Sequence, residues 1–149
     1  MGLLTDIGHG PVALDASIFI YFIEEHPRFM PVVEPVFSSI AEGSLAAVTS
    51  SLTLLEVLVH PLRANLPALA DEYEQILTHS AGVELIPLDQ RLLRVAAHLR
   101  AATRLKTPDA IHLASALKAG CTAFLTNDDR IPAGLGIRIL RARDYLDRR

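Results

Sequence analysis

Four carboxylates stand where chemistry collects in this chain: Asp15, Glu56, Asp109 and Asp128. Each borders an apolar run. Val12-Ala13-Leu14 leads into Asp15, and Leu45 to Val48 comes shortly before Glu56. Asp109 opens the stretch Ala110 to Leu117, and Phe124-Leu125 precedes Asp128. Brought to one place, four such groups cannot all stay ionised without a counter-charge. Protonation of one or two is one solution; a hard divalent cation is the commoner one. Oxygen-only ligation selects Mg2+ or Mn2+, because zinc favours His or Cys. Such an ion keeps several waters, acidifies one of them and grips phosphate oxygens. The chemistry this points to is attack by activated water on a phosphodiester.

Each acid also has a plain structural explanation. Asp15 can cap the helix that follows it. Glu56 completes a T-x-x-E capping box with Thr53. Asp109, in a helix's first turn, is favoured by the helix dipole alone. Asp128 and its neighbour Asp129 are ordinary residues for a turn after a strand. It is the joint placement, not any single acid, that carries the expectation of a site.

The elements that must position these groups follow from the apolar pattern. Strands are expected at Val12–Asp15, Leu45–Thr49, Gly82–Pro87, Thr122–Leu125 and Gly136–Leu140. Helices are expected at Ile18–Ile23, Phe29–Ser44 (interrupted by Pro31 and Pro35), Leu52–Val59, Leu62–Ser80, Asp89 to about Arg104 and Thr107–Leu117. His60-Pro61 is expected to break the chain, and Thr107 to cap the Asp109 helix with Pro108 at its first position. A polar tail is expected from Arg141. Strands that alternate with helices and read as short continuous apolar runs describe a parallel sheet covered on both faces. In such sheets functional groups gather beyond the carboxyl ends of the strands, near the point where strand order reverses. Asp15, Glu56, Asp109 and Asp128 all have a route to that edge.

The composition narrows the class. The 149 residues fit one domain, 1–149, and with 50% hydrophobic and 21% charged residues the chain is globular rather than disordered. No apolar run reaches the roughly 18–20 residues a bilayer span needs, and Met1–Asp15 lacks the pattern of an export signal. The single Cys121 forms no internal disulfide, so a cytoplasmic location is expected. A net charge of −3 argues weakly against nucleic acid as a partner. Yet twelve of the fourteen cationic residues are Arg, and Arg138, Arg141, Arg143 and Arg149 gather near the C-terminus. Arginine forks suit phosphate, although a high-GC genome enriches them equally well. His112, one turn after Asp109, is expected to be structural. Tyr21, Phe22 and Phe29 are expected to make core or dimer contacts rather than to stack bases.

The motifs V-A-L-D-A-S at Val12–Ser17, T-S-S-L-T-L-L-E at Thr49–Glu56, T-P-D-A-I-H-L-A-S-A-L at Thr107–Leu117 and F-L-T-N-D-D at Phe124–Asp129 together resemble the PIN domain. The likeness is strongest to the VapC-type toxins of bacterial toxin–antitoxin pairs, and it covers nearly the whole chain. It implies a three-layer α/β/α fold with a five-stranded parallel sheet, and a metal-dependent ribonuclease. Position by position it implies that Asp15, Glu56, Asp109 and Asp128 hold Mg2+ or Mn2+. Thr126 then matches the hydroxyl residue that orders the site, and Ser17 the small polar residue after the first Asp. With Asp128 and Asp129 adjacent, either is open as the ligand, and T-x-D favours Asp128. The resemblance further implies a homodimer, an RNA substrate and an antitoxin partner. For the dimer surface, the helices Phe29–Ile40 and Leu62–Ile76 are candidates by their apolar content.

Two other readings keep the same fold. One is a housekeeping RNA-processing nuclease without an antitoxin. The other is a non-catalytic module that binds RNA or protein, which uncompensated acids in the groove disfavour. A small-molecule phosphatase would want a Gly-rich phosphate loop or a D-x-D nucleophile motif, and neither is present.

Overall fold

A computed structural model describes residues 2–146; Arg149 lies outside them. Five strands form one wholly parallel sheet: β1 (Val12–Leu14), β2 (Ala47–Ser50), β3 (Val83–Ile86), β4 (Ala123–Thr126) and β5 (Arg138–Arg141). Their spatial order is β3-β2-β1-β4-β5. The chain winds outward from β1 in one direction and then resumes on its other side with β4. Strand order therefore reverses between β1 and β4, the place where an open parallel sheet leaves a crevice. Register sets Leu14 opposite Leu125, so residues just past these two strands emerge side by side.

The apolar runs are continuous because both faces are covered. Val12, Leu14, Ala123 and Leu125 point to one face, packing with Phe19 of α2 (Ala16–Ile23), Val33 and Val36 of α3 (Met30–Ala41), Val57 of α4 (Ser51–Arg63), and Tyr73 and Leu77 of α5 (Pro67–His79). The alternate residues Ala13, Val48 and Phe124 meet Leu92 and Ala96 of α6 (Gln90–Ala102) and Ala110, Leu113 and Ala114 of α7 (Thr107–Lys118). The result is the expected three-layer α/β/α arrangement. Every residue of α7 from Asp109 to Ala116 is buried, and each fully buried Leu such as Leu113 contributes about 1.5–3 kcal/mol. Among the described residues no helix is long and apolar enough to cross a membrane.

Several local expectations need correction. His60-Pro61 does not break the chain: α4 continues to Arg63 with Pro61 inside it. The ring of Pro61 is buried in the last turn, where its missing N–H costs a single helical bond. The break comes instead at Asn65, which adopts a left-handed φ of 57°, before Pro67 opens α5. Pro31 and Pro35 likewise sit within α3 without interrupting it, since Val32, Val33, Val36, Phe37 and Ile40 anchor that helix in the core.

Thr107 is the first residue of α7 and not its cap; its hydroxyl instead accepts from Arg100 Nη1 at 2.9 Å. No Thr53–Glu56 capping box forms. Ser50 caps α4, accepting from Leu52 N at 3.0 Å, while the Thr53 hydroxyl is paired with that of Thr49 at 2.7 Å. Two elements escaped the periodicity. Helix α1 (Leu3–Ile7) is only five residues long and buries Leu3 and Ile7, too short for a pattern. The expected polar tail folds as a 3-10 helix, Ala142–Tyr145, which buries both its ends.

Candidate active site

Asp15 is the first residue beyond β1 and serves as N-cap of α2. Its Oδ1 accepts from the Ile18 backbone N–H at 3.4 Å and from the Ser17 hydroxyl at 2.5 Å. The Thr126 hydroxyl, fully buried at the end of β4, donates to Oδ2 of the same carboxylate. Capping and site placement are thus one arrangement, not alternatives. Burial pushes the Asp15 carboxyl above its ordinary range, and the Ser17 and Thr126 hydroxyls pull it partly back.

Asp128 follows two residues after Thr126, and its backbone N–H donates to Thr126 Oγ1 at 2.9 Å. Its carboxylate is gripped by Arg130: the backbone N–H and Nε donate to Oδ1, each at 2.9 Å, and Nη2 donates to Oδ2 at 2.7 Å. This charge-assisted fork lowers the Asp128 carboxyl to about 2. Asp129 turns the other way, to Arg141 Nε at 3.2 Å and to the Arg143 guanidinium, so of the two adjacent acids it is Asp128 that faces the crevice.

Asp109 sits in the first turn of α7 with only 4% of its surface exposed. Its Oδ2 is buried without a hydrogen-bond partner; Arg130 Nε approaches to 3.5 Å, an ion pair rather than a hydrogen bond. Burial first, and the neighbouring Asp128 carboxylate second, push Asp109 above its usual range. Two carboxyls raised and one lowered within a single crevice is a separation that functional sites exploit.

Glu56 reaches the crevice from α4. Its Oε1 lies 2.7 Å from His112 Nε2, one turn along α7 from Asp109. Asp15, Ser17, Glu56, Asp109, His112, Asp128 and Arg130 line one pocket, closed by Ala16, Pro108 and Ile131. The four acids expected from the sequence therefore converge.

Convergence is not yet coordination. Among the described residues no three acidic, imidazole or thiol groups stand close enough to hold an ion as their side chains are arranged. Arg130 engages Asp128 and Asp109, and Glu56 pairs with His112 at the pocket. The donor chemistry itself fits a hard cation: four carboxylate residues line the pocket, and Asp109 Oδ2 is buried without a hydrogen bond.

Arg130 is not among the site residues expected from the sequence. The signal available was a cation two residues after Asp128. His112, expected to be structural, pairs with Glu56, one of the four acids. Phe22 stacks on Phe37 at 4.0 Å and Tyr21 on Phe29 at 4.5 Å, both packed against the core. Asn127 Nδ2 donates to the Tyr21 hydroxyl at 3.0 Å, which ties the end of β4 to α2.

The PIN domain profile matches residues 12–133. No curated protein matches the sequence. Among solved structures, the chain is similar to VapBC2 from Rickettsia felis bound to a DNA fragment from its promoter, with a TM-score of 0.68, 15% identity and coverage of 87% of this chain and 97% of that one. It is similar also to FitAcB from Neisseria gonorrhoeae, with a TM-score of 0.64, 17% identity, and coverage of 89% and 98%. A third is VapC20 from Mycobacterium tuberculosis, described as a toxin that cleaves the sarcin–ricin loop, with a TM-score of 0.61, 16% identity, and coverage of 76% and 86%. At these identities the likeness is one of fold.

Proposed function

The chain belongs to the PIN domain family, and we propose from that premise that it is a Mg2+- or Mn2+-dependent endoribonuclease, the VapC-like toxin of a toxin–antitoxin pair. The observation that carries the reading is the buried, unbonded Asp109 Oδ2 in a pocket that Asp15, Glu56 and Asp128 also line. A structural neighbour that is a toxin–antitoxin complex from Klebsiella pneumoniae, and one that is a toxin cleaving the sarcin–ricin loop, support it.

In this reading Asp15, Glu56, Asp109 and Asp128 hold the ion, with Asp129 outside the set. A bound Mg2+ or Mn2+ supplies Lewis acidity and lowers the pKa of water beside the scissile phosphate. The protein's own groups then have distinct tasks. Thr126 and Ser17 donate hydroxyls to Asp15 and fix the direction of its oxygens. His112 holds the Glu56 carboxylate over the pocket. Such second contacts orient ligands and typically matter 10–100-fold (about that range) in affinity or activity.

The proposed partners are RNA as substrate, an antitoxin that blocks the pocket, and a second copy of the chain. Leu62 and Leu66, exposed at the α4–α5 junction, fall at the edge of the Leu62–Ile76 segment expected to contribute to a dimer. The test is expression of the chain alone and with the small reading frame beside its gene, followed by RNA 5′-end mapping. Growth arrest with new 5′ ends, both relieved by the neighbour, is expected. New ends that persist with the neighbour present would make it a nuclease without an antitoxin.

A further inference from the structure

Arg130 is the guanidinium of the pocket lining, hydrogen-bonded to Asp128 and ion-paired with Asp109, two of the acids that would hold the proposed ion. It contacts both carboxylate oxygens of Asp128 and approaches Asp109 Oδ2 at 3.5 Å. Forked arginine–carboxylate pairs are strong and geometrically exclusive: an oxygen accepting two N–H groups offers little to a hard cation. The same guanidinium reaches both Asp128 and Asp109, whose carboxyls are themselves neighbours. The side chain is also free to leave. It is 61% exposed and follows β4 in a segment without helix or strand.

We infer that Arg130 is a built-in counter-ion of the acid pocket, which a divalent cation must displace from Asp128 and Asp109 in order to bind. The inference rests on the reading of those acids as metal-holding. It assigns Arg130 a role opposite to that of a residue that helps to hold the metal: it stabilises the acid cluster in the metal-free chain and sets the threshold of cation concentration at which the site fills. A lysine at this position keeps the charge but loses the fork, and a glutamine loses both.

The experiment is calorimetric titration of chelator-treated wild type, Arg130→Gln, Arg130→Lys and Asp109→Asn with MnCl2, each also melted without metal. The expected result is tighter Mn2+ binding by Arg130→Gln, about three- to tenfold as for a partly exposed ion pair. Arg130→Lys falls between, and the metal-free Tm of Arg130→Gln drops. Equal or weaker binding by Arg130→Gln, with wild-type binding still abolished in Asp109→Asn, overturns the inference and leaves the metal-site reading standing. No heat from wild type or Arg130→Gln overturns both.

Discussion

The Thr126 hydroxyl donates to Asp15 Oδ2 across the point where strand order reverses. Both residues occupy the ends of neighbouring central strands, and the same hydroxyl accepts from Asp128 N–H at 2.9 Å. One fully buried side chain thus connects two of the acids. Replacing it with its apolar isostere, Thr126→Val, removes both bonds without changing volume. It should cost about 1–3 kcal/mol in chemical denaturation, the penalty of leaving buried polar groups unpaired. A loss well below that range would mean the hydroxyl is not holding the two acids together.

Asp109 is stored at a cost. Its folded pKa lies above the unfolded one, chiefly through burial. Between the two values the folded state binds more protons, so stability falls as pH rises through this window and the deficit persists above it. Asp109→Asn should therefore melt higher than wild type at neutral pH in chelator, on the scale of about 2–4 °C for each kcal/mol relieved. The advantage should vanish below the ordinary carboxylate range. A lower Tm for the variant at neutral pH would show that Arg130 already compensates the buried charge.

Asp128 has the opposite sign. Arg130 lowers its carboxyl from 3.8 to about 2, so its contribution is complete above the unfolded value and is lost as pH falls through the folded one. Denaturation of wild type and Asp128→Asn at several acidic pH values should show wild type ahead at pH about 5 and the two converging near pH about 2. A constant gap across that interval would assign the effect to packing instead.

His112 contributes through Glu56. With Nε2 at 2.7 Å from Glu56 Oε1 and little exposure, its loss frees the glutamate to leave the pocket. His112→Ala should weaken Mn2+ binding about tenfold, as supporting contacts to ligands do, and His112→Gln, which can still donate, should recover part of it. Unchanged Mn2+ affinity in His112→Ala would limit the histidine to packing between α4 and α7.

Much of this molecule was legible in the sequence because its logic is local. Val12-Ala13-Leu14 and Ala123-Phe124-Leu125 announce strands covered on both faces, and the acids that follow them must emerge at the sheet edge. What was not legible depends on partners distant along the chain. Thr53 looks like half of a capping box until Thr49 claims its hydroxyl. Pro61 looks like a breaker until the fold buries it within α4. Thr107 looks like a cap until Arg100 binds it. Arg130 is marked in sequence only by its place two residues after Asp128; it takes the fold to bring it to Asp109 as well.

The central claim, that four acids from separated segments form one cation-dependent hydrolytic site, is tested most directly by incubating purified wild type and Asp109→Asn with RNA in Mn2+ and in chelator. The account predicts new RNA 5′ ends for wild type in Mn2+ alone, and none for Asp109→Asn although it remains folded. Cleavage by Asp109→Asn at the wild-type rate, or cleavage by wild type undiminished in chelator, would contradict it.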